Sequence, residues 1–253
     1  MFNTKLPAHP RPFVSQTSTT KALHFSIAEV QSRMDLRDPN ALHIEYTRSM
    51  MGFLLFDPAP ENVAMIGLGG GSLAKFCFKH LATSKICVVE INPYVIALRG
   101  EFLVPDDDDR FIVIEADGAE FVTSSSQFFN VILVDGYDHK GLPHALSTQQ
   151  FYDDCFNTLA PNGILVVNLH SDHRHYDIHI DRIGRSFANA VLLVEDKREG
   201  NSVVFAQKGQ KGQKSISLAV GPLRRPSSFD ERTWNSFQGP FARILSALKA
   251  QPR

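Results

Sequence analysis

Short, wholly apolar runs alternate along the chain with longer segments in which apolar residues recur every three or four positions. The runs at 63–66, 86–89, 111–114, 131–134 and 164–169 have no polar face, so each predicts a strand covered on both sides. Between them the spacing predicts helices over 73–81, 93–102 and 149–159, the last halted by Pro161, Asn162 and Gly163. Strand and helix in alternation give an α/β fold, with a parallel sheet between two helical layers. Two more strands, 190–194 and 202–206, flank a polar stretch and predict a hairpin at the sheet edge, for seven strands in all.

The flanks follow other patterns. Apolar alternation around Leu23, Phe25 and Ile27, then a helical run over 44–55, predicts a short N-terminal β/α module at 22–57. Asp57, Pro58 and Pro60 punctuate the chain there, so the main domain is expected over 58–208. Residues 1–21 carry Pro7, Pro10, Pro12 and a Ser/Thr cluster and read as a disordered arm. Residues 209–253 read as a linker with one terminal helix near 237–248.

Composition narrows the function classes. With 26 basic and 27 acidic side chains in 253 residues, no overall field attracts nucleic acid. No apolar run approaches the roughly 20 residues of a membrane span, and the N-terminus lacks the apolar core of a signal peptide. Three cysteines, two of them in apolar helix and strand patterns, suggest no disulfide framework. A cytoplasmic protein with one main core is expected.

The candidate chemistry lies at strand ends. Gly67, Gly69, Gly70 and Gly71 sit where the first of the five strands passes into a helix, where backbone can approach a nucleoside closely. Glu90 ends the second strand, where a carboxylate can accept from both ribose hydroxyls. After the third, Asp117 can pair with an adenine amino group and Gly118 leaves room for the ring. After the fourth come Asp135, Gly136, Tyr137 and Asp138; of two carboxylates so spaced, one can take a proton from an amine while the other holds a cation. His170, His173, His175 and His179 crowd one stretch, but lack a third-ligand motif; a solvated loop and helix face is expected, with no metal.

These motifs resemble the spermidine synthase (polyamine aminopropyltransferase) family. The residues that carry the likeness are Gly69-Gly70-Gly71, Val89-Glu90-Ile91-Asn92-Pro93, Ala116-Asp117-Gly118 and Asp135-Gly136-Tyr137-Asp138, with unbroken spacing to Phe151-Tyr152. The resemblance implies a Rossmann-like, class I methyltransferase fold and transfer of an aminopropyl group from decarboxylated S-adenosylmethionine to a polyamine such as putrescine. It also implies Asp135 as the base, Asp138, Tyr46 and Tyr137 at the amine, and Gln31, Gly67, Gly69, Gly71, Glu90, Asp117 and Gly118 around the nucleoside. The partner would be a small cationic amine. Family members commonly pair through the N-terminal module, so a homodimer belongs to the same expectation.

Three positions depart from the family pattern. Gly70 or Ser72 stands where the family has an aspartate, Thr47-Arg48 replaces a glutamate, and His139 replaces a proline. Two other readings use the same scaffold. One is an S-adenosylmethionine-dependent methyltransferase, in which Gly70 makes room for the donor's carboxylate; the other is a non-catalytic nucleoside- or polyamine-binding protein.

Overall fold

In the computed structural model, residues 9–27, 30–137, 141–196, 200–209, 216 and 225–251 are described. An antiparallel sheet comes first: β1 (Phe13–Gln16), β2 (Thr20–His24) and β3 (Val30–Asp35). Residues 13–16 therefore are not part of a disordered arm. Phe13 stacks on His24 with ring centroids 5.0 Å apart, and Ser15 Oγ lies 2.8 Å from His24 Nε2, so cross-strand contacts order this short segment. A helix, α1 (Glu45–Met50), runs straight into a 3-10 turn (Met51–Leu55) that is buried throughout.

The main sheet begins with β4 (Asn62–Ile66) and β5 (Lys85–Glu90), joined by α2 (Ser72–His80). Next come α3 (Pro93–Ala97), β6 (Phe111–Glu115), α4 (Gly118–Ser124) and β7 (Phe129–Val134). The chain continues through α5 (Gln149–Thr158), β8 (Leu159–His170), α6 (Tyr176–Ser186), β9 (Val191–Asp196) and β10 (Asn201–Gln207). The strand order is β6-β5-β4-β7-β8-β10-β9, parallel except that β10 runs against both β8 and β9. This is the α/β, seven-stranded, mostly parallel sheet with a terminal hairpin that the sequence predicts.

Successive residues of β4 serve opposite layers. Val63 and Met65 join the core on one face, while Ala64 and Ile66 join the core on the other. All four are at most 3% exposed, which is why the run is apolar without alternation.

Helix α7 (Glu231–Ala250) is longer than the expected terminal helix, extending through Gly239 and Pro240. Asp230 caps its first turn by accepting from the Thr233 N–H at 2.7 Å. Phe237, Phe241 and Ile244 form a buried stripe, and an added Cβ at Gly52 would meet Ile244 Cδ1. Packing against α1 and the 3-10 turn thus outweighs the proline's missing donor. The expected helix 93–102 is shorter, since α3 ends at Ala97 and turns carry the chain on to a buried Phe102.

Candidate functional site

The chain leaves β4 for β5 on one side and returns through β7 on the other, so a crevice opens at the C-terminal ends of these parallel strands. There lies a cavity of about 1040 Å³. It is lined by Gln31 and Ser32 from β3, Tyr46 from α1, Glu90 from β5, Asp117 after β6 and Asp135 after β7. Gly67, Gly69, Gly118 and Tyr137 line it as well. The glycine loop, both strand-end acids and Asp135 converge as the sequence predicts. Asp138 lies outside the described residues.

Gly71 does not line the cavity. It begins α2 with φ of 67°, and a Cβ there would strike Val104 Cγ2, so this glycine answers to backbone conformation and packing on the far side of the loop.

Asp135 is held from two sides. The Tyr46 hydroxyl donates to Oδ2 at 3.0 Å and the Asn168 amide donates to Oδ1 at 2.9 Å. Burial pushes the Asp135 carboxyl above its ordinary range, while the bonds from Asn168 and Tyr46 and the charge of His170 pull it back. Tyr46 is itself raised well above the usual phenol value, by burial first and then by the Asp135 charge, so it stays a neutral donor. Tyr137 packs on His170 with centroids 4.4 Å apart and donates to the Asn168 carbonyl at 3.0 Å.

Glu90 has a structural duty besides the one predicted for it. Its Oε2 accepts from the Leu68 N–H and its Oε1 from the Asn92 N–H, each at 2.9 Å. The carboxylate thereby pins the glycine loop to the end of β5, and each oxygen has capacity to accept a further bond. Asp117 caps α4 by accepting from the Ala119 N–H through Oδ1 at 2.7 Å. Asn92 Nδ2 donates to the Pro10 carbonyl at 2.9 Å, which draws His9 and Pro10 to the cavity edge.

The space where a side chain at Gly70 would begin is filled. A Cβ at Gly70 would lie 2.6 Å from Ser32 Oγ and 2.9 Å from Ser32 Cβ, and Ser32 Oγ reaches Ser72 Oγ at 3.4 Å. Two neutral hydroxyls stand at this end of the cavity, with β3 as its roof. Arg48 does not line the cavity; it donates to the Leu42 carbonyl at 2.6 Å and pairs with Glu45 at 3.6 Å, so its charge is turned away from an amine.

Sequence reasoning missed Ser32, Asn168 and Asn201, which carry no motif. It had His170 as a possible neighbour of the cleft, and His170 does line the cavity, together with Asp172, His173 and Arg174. His179 is not on a solvated face: it is 4% exposed under His173, and burial, with His173, Arg182 and His175 nearby, holds it down to about 4. Among the described residues no group of three His, Cys, Asp or Glu is arranged to hold a metal ion.

Residues 43–189 match the family described as the spermine/spermidine synthase domain. A polyamine aminopropyltransferase of Chromobacterium violaceum is 38% identical over 200 residues, covering 79% of this chain and 77% of that protein. One from Neisseria meningitidis is 35% identical over 243 residues, covering 95% and 90%. Among solved structures, a probable spermidine synthase from Corynebacterium glutamicum superposes with a TM-score of 0.68 at 21% identity, covering 78% and 76%. A spermidine synthase in complex with the transition state analogue AdoDATO superposes with a TM-score of 0.54 at 23% identity, covering 95% and 89%. At such identities the structural likeness speaks to the fold.

Proposed function

The chain belongs to the spermine/spermidine synthase family, and on that premise we propose that it is an aminopropyltransferase moving an aminopropyl group from decarboxylated S-adenosylmethionine to a polyamine such as putrescine. The observation that carries the reading is Asp135, a half-buried carboxylate gripped by Tyr46 and Asn168 in the same cavity as Glu90 and Asp117. In the proposed step Asp135 takes a proton from the acceptor ammonium. The freed nitrogen lone pair attacks the aminopropyl carbon bonded to sulfur, the C–S bond breaks, and methylthioadenosine leaves.

Glu90 and Asp117 hold the nucleoside in this reading, with Gln31, Gly67, Gly69 and Gly118 forming its walls; Tyr46, Tyr137 and Asp138 orient the amine. The relatives named polyamine aminopropyltransferase, at 35% and 38% identity, favour this reading over methyl transfer. The proposal extends to a cytoplasmic enzyme in which two copies pair through the small N-terminal sheet, on which Phe13 is exposed.

The test is product analysis by mass spectrometry. Decarboxylated donor with putrescine is expected to give methylthioadenosine; S-adenosylhomocysteine from S-adenosylmethionine would support methyl transfer, and binding without either product would support a non-catalytic protein. Asp135→Asn is expected to lower kcat by about 100-fold or more while methylthioadenosine affinity stays largely intact.

A further inference from the structure

Asp135 accepts from two donors, and one of them is an amide with two chemically different ends. An ionised carboxylate only accepts, so Asn168 serves it with its NH2 and repels it with its carbonyl oxygen. Asp135 alone does not fix that choice when it is protonated, at low pH or after taking a proton from substrate. A third residue does. Asn201 Nδ2 donates to Asn168 Oδ1 at 3.0 Å, from the first position of β10. In the β8–β10 ladder Asn201 stands opposite His170 and Val203 opposite Asn168, so Asn201 and Asn168 are diagonal neighbours on one face of the sheet. Asn168 is 2% exposed, and its backbone carbonyl is tied down by the Tyr137 hydroxyl.

We infer that Asn201 is a positioning residue: by occupying the Asn168 oxygen it keeps the Asn168 N–H turned toward Asp135 through every protonation state of the cycle. This rests on the reading of Asp135 as the proton acceptor. Among the described residues, the other ionisable groups facing Asp135 are Tyr46 from α1, Tyr137 from its own loop and His170 from the end of β8. Without Asn201, the Asn168 amide samples both orientations, and one of the bonds that draw the Asp135 carboxyl downward is weakened. The carboxyl then rises further, and more alkaline conditions are needed to keep it a base.

The experiment is the pH profile of kcat for the full chain and for Asn201→Ala, Asn201→Asp and Asn201→Ser, with methylthioadenosine affinity measured alongside. The acidic limb is expected to move up by about one pH unit in Asn201→Ala, further in Asn201→Asp, and less in Asn201→Ser, whose hydroxyl can still donate. Nucleoside affinity is expected to stay within about twofold in all three. A limb that stays in place in both Asn201→Ala and Asn201→Ser, whatever their kcat or melting temperature, overturns the inference. Asp135→Asn separates the two levels. If it is inactive while the Asn201 limbs do not move, only the role of Asn201 falls; if it keeps the parent's turnover, the premise falls with it.

Discussion

Arg243 on α7 donates to the Glu45 carboxylate at 2.6 Å, one residue before Tyr46 on α1. The same guanidinium lies 3.7 Å from Asp196 at the end of β9. A helix beyond the family-matched segment thus braces the helix that delivers Tyr46 to Asp135.

Arg243→Ala is expected to act on both stability and rate. Arg243 is 38% exposed at its side chain, so screening keeps the loss of stability to about 0.5 kcal/mol. The rate is expected to fall about three- to tenfold through loosened Tyr46 geometry, with nucleoside affinity preserved. Thermal melts and steady-state kinetics on one preparation check this; a changed nucleoside affinity with an intact kcat would contradict the brace.

Gly70→Asp places an aspartate at one of the two positions, Gly70 or Ser72, where the family pattern carries it, but its Cβ collides with Ser32. The single substitution is expected to weaken methylthioadenosine binding by about tenfold, and adding Ser32→Gly to recover most of it. A double-mutant cycle measured by calorimetry gives the coupling; additivity would mean that Ser32 does not fill the space.

Glu90→Ala removes two acceptors that hold the glycine loop. We expect a loss of about 2 kcal/mol in nucleoside binding together with a lower melting temperature. Glu90→Gln keeps one carbonyl oxygen and is expected to fall between. An effect on binding with no change in melting would assign Glu90 to the ligand alone.

Lys75 is 1% exposed and donates to the Phe102 carbonyl at 2.7 Å and to Met34 Sδ at 3.0 Å. Burial lowers its ammonium from 10.5 to about 8. Between those values the unfolded chain binds more protons than the folded one, so the parent protein gains stability as pH rises from about 8 to 10.5. Lys75→Met is expected to be more stable than the parent below pH 8, with the advantage shrinking through that window. Urea melts at pH 7, 9 and about 10.5 test the sign; a constant difference would contradict it.

Strands such as β4 and β7 were legible because both faces are buried, which leaves an unbroken apolar run. Gly67, Glu90, Asp117 and Asp135 were legible because each sits next to such a run. β1 was hidden because its order comes from His24 across the sheet, a contact that no local pattern encodes. Helix α6 was legible only as a helix face around His175 and His179, because few of its residues are buried: His179, Ile183 and Gly184. Asn168 and Asn201 were invisible for a related reason: neutral amides carry meaning only through their partners, and these two meet 33 residues apart. Ser32 likewise matters through the atom missing at Gly70.

The reversal of strand order at β4 divides the cavity between two arms of the sheet. Glu90 and Asp117 descend from one arm of the sheet, Asp135 and Asn168 from the other. Substitutions on the second arm can therefore reshape its half of the pocket while Glu90 and Asp117 keep their places, but a chimaera joined after α4 would have to keep Tyr46 matched to Asp135 across the junction.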